Sequence, residues 1–116
     1  MIKDDALYCD HVIETMDVIF SYTKNISRKD FLENKMLTDA VMRNLQILSE
    51  STQKISQKTK DKRGNIPWKD ISGFRNILVH DYFEGIDLNA IWNVVVRDLP
   101  VLHKEFLTIK ETGFNK

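Results

Sequence analysis

Three stretches of this chain repeat apolar residues in alternating steps of four and three, and that spacing restricts each to an amphipathic helix. The first is Ile2, Ala6, Cys9, Ile13, Met16, Phe20 and Thr23. The second is Leu37, Val41, Asn44, Leu48, Ser51 and Ile55, flanked by Ala40 and Ile47, and predicts a helix over about Thr38 to Thr59. The third is Leu88, Trp92, Val95, Leu99, Leu102, Phe106 and Ile109, with Asp87 as its N-cap. Pro100 falls inside the third pattern and should bend that helix near Arg97, because proline offers no backbone N–H. Between the first two, Ser27 followed by Asp30 reads as a capping box opening a short turn around Phe31 and Leu32. No segment alternates with strand period. The expectation is an all-α, up-and-down bundle in a single domain over residues 1–116.

The charge balance limits what such a bundle can attract. Lys plus Arg and Asp plus Glu number 17 each, so any attraction for phosphate must come from a local patch. Lys58, Lys60, Lys62 and Arg63 form one, diluted by Asp61. They serve either as cations at a helix C-terminus or as an RNA-binding cluster. Asp10, Glu14 and Asp17 make an acidic stripe on the first helix, either a solvated face or a surface for a basic partner. Asn44, Ser51 and Glu50 put polar groups on or beside an apolar stripe, where they must find partners inside the bundle or across a subunit boundary. With one cysteine, Cys9, no intrachain disulfide can form, which suits a reducing cytoplasm. Fully apolar runs reach only three residues, as in Val94-Val95-Val96, so no membrane span or signal peptide is expected. His11, His80 and His103 are scattered with no metal-ligand spacing, and no metal or cofactor is expected.

Reactive side chains gather in one stretch, Ile66 to Tyr82, after the breaks at Gly64 and Pro67. On a helix Asn76 and His80 lie one turn apart, and Arg75 and Tyr82 two turns apart. Ile71, Phe74 and Leu78 would anchor the apolar side. Arginine can bind two phosphate oxygens and histidine can move a proton near neutrality, which suits cleavage of an RNA phosphodiester. One His80 supplies one proton transfer at a time, and a two-fold dimer would bring two into one cleft. The same residues also fit an ion-paired Arg75 and a His80 capping a helix end, and spacing alone does not separate the two.

The run Arg75-Asn76-Ile77-Leu78-Val79-His80-Asp81-Tyr82 resembles the signature of HEPN-domain proteins, and the tyrosine two positions after the histidine resembles the HepT-like toxin branch. The likeness extends to Asp39 to Leu45 with Ile47 and Glu50, to Ile66-Pro67-Trp68 and to Leu99-Pro100. One departure is Ser49-Glu50-Ser51 where the branch commonly has Gly-Glu-Ala, which bears on close packing between helices. The resemblance implies a HEPN-type bundle of four to five helices that dimerises through the motif region. It implies a metal-independent endoribonuclease toxin with Arg75 and His80 catalytic and Asn76 supporting them. It also implies a minimal nucleotidyltransferase antitoxin as partner, in a higher hetero-oligomer, that silences the toxin by adenylylating Tyr82. The competing expectation is a non-catalytic HEPN accessory subunit that binds nucleotide beside a nucleotidyltransferase.

Overall fold

The computed structural model describes residues 3–74 and 87–111. Among them the architecture is entirely helical, as the spacing predicts. In chain order the elements are α1 (Lys3–Thr23), α2 (Arg28–Glu33), α3 (Lys35–Gln53), α4 (Gln57–Lys62), the described part of α5 (68–74), α6 (Leu88–Asn93), a π-turn (Val94–Asp98) and α7 (Leu99–Glu111). Among the described residues no helix is long and apolar enough to cross a membrane.

α1 runs between α3 and α7 and supplies the centre of the core. Its buried face is wider than the expected stripe: Val12 and Ile19 join Cys9, Ile13 and Met16. α3 contributes Val41, Leu45 and Leu48, and α7 contributes Leu99, Leu102, Phe106 and Ile109. The short α2 exists because Ser27 accepts a hydrogen bond from the Asp30 N–H at 3.1 Å. It buries Phe31 completely, with the ring 5.1 Å from that of Trp92.

The acidic stripe of α1 is partly paired within the chain. Asp17 meets the His103 ring at 2.8 Å and Asp10 lies 3.6 Å from the Lys110 ammonium, so α7 of the same chain is its basic partner. Glu14 is exposed.

Pro100 acts where expected, through a local widening. The π-turn spans Val94–Asp98, and the Leu99 N–H reaches back five residues to the Val94 carbonyl. The wider turn makes room for the proline ring, which would otherwise press on the carbonyl four residues earlier.

The second long helix is shorter than its periodicity predicts. α3 stops at Gln53, and Lys54 to Ser56 separate it from α4. The cause lies on α1. Asp5, 2% exposed, accepts the Ser56 backbone N–H at 2.8 Å and the Ser56 and Thr59 hydroxyls at 2.6 Å each. In an unbroken helix that N–H would bond the Thr52 carbonyl, and Asp5 takes it instead. Ser56 then caps α4 by accepting from the Thr59 N–H. Burial pushes the Asp5 carboxyl up, but the hydrogen bonds from Ser56 and Thr59 outweigh it and hold it below the ordinary carboxylate value.

A depressed carboxyl stabilises the fold above the ordinary aspartate pKa, and that stability is lost as pH falls through the folded-state value. Asp5→Ala is therefore expected to cost about 3 kcal/mol at neutral pH, by stranding one buried and two half-buried donors. The melting temperature should fall on the order of 10 °C. The penalty should shrink below about pH 4, where Asp5 of the unfolded parent takes up a proton while the folded one still resists it. Thermal melts at pH 7 and pH 3 measure this, and an equal penalty at both would exclude a charged staple.

Candidate functional site

The described part of α5 leads directly into the motif and is held on three sides. Pro67 breaks the preceding turn and its carbonyl accepts the Ile71 N–H at 3.1 Å. The Trp68 indole N–H donates to the Arg63 carbonyl at 3.0 Å, and its ring meets Phe106 of α7 edge-on at 5.7 Å. Ile71 is fully buried and Phe74 nearly so, at the spacing of three expected of an anchoring face. Ser49, fully buried on α3, donates its hydroxyl to the Ile71 carbonyl at 3.3 Å. A glycine at position 49 would lack this bond. The serine thus ties α3 to α5 four residues before Arg75. Arg75, Asn76, His80 and Tyr82 themselves lie outside the described residues.

The basic run divides into two faces on α4. Lys58 and Lys62, four residues apart, are both exposed. Lys60 is turned the other way and half-buried, its ammonium 5.8 Å from the centre of the Trp68 ring. A cation held this way at a partly exposed site gains about 0.5–1 kcal/mol, little enough to be displaced. Arg63 is half-buried at the end of the helix.

A cleft of about 770 Å³ opens between α4 and α5. Lys60 and Asp61 line it from α4, and Trp68, Lys69, Asp70, Ser72 and Gly73 from α5. A smaller hollow of about 210 Å³ lies between α5 and the π-turn, lined by Asp70, Phe74, Arg97 and Asp98. Residues 68–74, which precede the motif in sequence, therefore lie between two openings. Sequence spacing does not show the larger one, because it depends on the turn at Arg63 to Ile66 folding α5 back beside α4. Ser56 did carry a signal for the α3–α4 break, since serine is a preferred N-cap.

The remaining candidates are structural where they are described. Asn44 donates its amide to the Ala40 carbonyl at 2.9 Å within α3. Glu50 is exposed and accepts from Gln46 at 3.3 Å. Burial pushes the Cys9 thiol up to about 12, with the nearby Asp5 and Asp10 adding to the effect, so Cys9 is an inert core residue. Among the described residues no group of three His, Cys, Asp or Glu side chains is placed to hold a metal ion.

The model of the ribonuclease HepT-like family matches residues 12–109, which include the whole motif. The chain belongs to the HepT-like ribonuclease family. Its curated relatives include a Methanocaldococcus jannaschii protein named as a gamma-glutamylcyclotransferase and, provisionally, an RNase, 39% identical over 111 residues. That match takes in 96% of this chain but only 50% of the relative, so the chain spans about half of that protein. A second protein of the same organism, provisionally named an RNase, is 37% identical over 89% of this chain and 94% of its own. A Thermococcus cleftensis protein named as a probable ribonuclease HepT is 32% identical over 90% of this chain and 94% of its own. No solved structure matches the chain. The family assignment agrees with the motif resemblance and with the all-helical fold.

Proposed function

We propose that this HepT-like protein is a ribonuclease toxin that cuts RNA without a metal ion, at a site completed by two protomers. The observation that carries the reading is the family match over residues 12–109, with Arg75, Asn76, His80 and Tyr82 all inside it. Relatives whose names carry RNase or ribonuclease HepT support the substrate class.

In this reading one His80 takes the proton from a ribose 2′-hydroxyl. The 2′-oxygen forms a bond to the adjacent phosphorus, and the bond from phosphorus to the 5′-oxygen breaks. The His80 of a second protomer protonates that leaving oxygen. Arg75 stabilises the charge that builds on the phosphorane oxygens, and Asn76 orients the pair. The products are a 2′,3′-cyclic phosphate and a 5′-hydroxyl. Asn44, Glu50 and Ser51 would lie toward the two-fold axis. A minimal nucleotidyltransferase antitoxin would silence the site by adenylylating Tyr82. Incubating RNA with the purified protein, with and without EDTA, tests the core of the reading. Cleavage that survives EDTA and leaves cyclic phosphate ends is expected, and dependence on magnesium would overturn the mechanism.

Lys58, Lys60, Lys62 and Arg63 bind the RNA backbone in this reading and take no part in chemistry. Neutralising Lys58 and Lys62, the exposed pair, should weaken binding and reduce the salt slope by about 0.7 for each phosphate contact removed. Binding titrations between low and moderate salt measure the slope. An unchanged slope would assign the pair to the helix end alone.

A further inference from the structure

The cleft between α4 and α5 has no part in the cleavage scheme, yet its lining has a definite chemistry. Each helix contributes one lysine and one aspartate, Lys60 with Asp61 and Lys69 with Asp70. The lining charges therefore cancel, which does not suit a site for phosphate alone. It suits a neutral group that carries hydrogen-bond donors and acceptors together. Trp68 adds an aromatic surface whose position is already fixed by its bonds to Arg63 and Phe106. Gly64 and Gly73 keep the walls low, since a Cβ built on either meets nothing within 4 Å. The volume, about 770 Å³, lies within the range of sites that enclose small molecules.

We propose that this cleft is a subsite for one unpaired base of the RNA substrate, a role that rests on the ribonuclease reading. A nucleobase is flat, uncharged and edged with donors and acceptors, so it matches the balanced walls and the indole. Stacking on Trp68 displaces the loosely held Lys60 ammonium, which then pairs with the phosphate of the same nucleotide. Lys58 and Lys62, on the outer face of α4, carry the neighbouring phosphates. The base must be unpaired, because a base inside an A-form duplex cannot present its face to a side chain. The subsite therefore selects single-stranded RNA.

The chain has two tryptophans, so Trp92→Phe leaves Trp68 as the only one. In that background a 2′-O-methyl oligoribonucleotide, which cannot be cut, is expected to quench Trp68 fluorescence on binding. Gly73→Leu and Gly64→Leu fill the cleft from opposite walls, and each should weaken binding of the oligonucleotide by about tenfold or more. The salt slope should fall by about 0.7, the share of one phosphate contact, because Lys60 stays on Trp68 when the base is shut out. Circular dichroism checks each variant's fold, and the quench requires neither variant. Saturating oligonucleotide that leaves Trp68 unquenched, or folded leucine variants that bind like the parent, would overturn the subsite. Cleavage of unmodified RNA by the same parent protein reports separately on the ribonuclease reading. If RNA is cut but Trp68 is not quenched, the subsite alone fails; if no RNA is cut, the ribonuclease reading fails.

Discussion

His80→Ala and Arg75→Ala should each lower the rate of RNA cleavage by about 10²–10⁴-fold, with helicity and melting temperature near those of the parent. For His80 the argument is the proton. The 2′-hydroxyl is too weak an acid to ionise at neutral pH, and an imidazole with an ordinary pKa of about 6.5 is the side chain suited to removing its proton there. Two histidines in a shared cleft must act in opposite states, one neutral and one charged. The rate should then rise and fall with pH around a maximum, and the pH profile of cleavage measures it. For Arg75 the argument is the charge on the phosphorane, which a guanidinium meets with paired donors and which it retains at any working pH. Arg75→Lys should therefore recover little, since an ammonium lacks the planar fork. Mixing His80→Ala with Arg75→Ala protomers supplies a further check. Partial recovery is expected if the two residues act across a dimer, and none if each protomer works alone. Full activity in either single variant would remove that residue from the catalytic assignment.

Tyr82→Phe should keep most of the nuclease activity and escape silencing by a co-expressed nucleotidyltransferase antitoxin. A phenol with an ordinary pKa of about 10 is a poor base at neutral pH, so loss of its hydroxyl leaves the proton transfers intact. In the proposed regulation the same hydroxyl is the acceptor for adenylylation. It attacks the α-phosphorus of ATP and releases pyrophosphate, leaving AMP in a phosphodiester on the ring. That adds a negative charge and the bulk of a nucleotide two residues from His80, where both would oppose an incoming RNA backbone. Mass spectrometry should show the AMP mass on the peptide containing Tyr82 in the parent and not in the phenylalanine variant. Cells expressing the variant with its antitoxin should show continued RNA cleavage. A Tyr82→Phe protein that is still modified and silenced would place the acceptor elsewhere.

The four-three stepping alone determined that the described residues are helical and which face of α1 and α7 is buried; on α3 the buried face is displaced, with Leu45 and Thr52 inside where Asn44 and Ser51 were expected. That inference is local: the helix period sets which side chains share a side, and burial follows from their hydrophobicity. The N-caps at Ser27 and Asp87 and the disturbance upstream of Pro100 are equally local, so they too were legible in the sequence. The motif from Arg75 to Tyr82 was legible through its resemblance, which the family match over residues 12–109 supports.

What only the tertiary structure decided depends on residues far apart in the chain. Asp5 ends α3 and starts α4 by taking the Ser56 N–H, across 51 positions, and no periodicity within 38–59 contains that competition. His103 and Lys110 pair two members of the acidic stripe with α7 at the surface of the bundle. Ser49 finds its partner in the Ile71 carbonyl, so the departure from the branch's usual glycine becomes a bond onto α5. The basic run looked like one patch, but the turn after α4 sets Lys60 over Trp68 and leaves Lys58 and Lys62 outside. Helix period and hydrophobicity act between neighbours and can be read along the chain. Hydrogen-bond competition and the walls of a cleft exist only once distant segments meet.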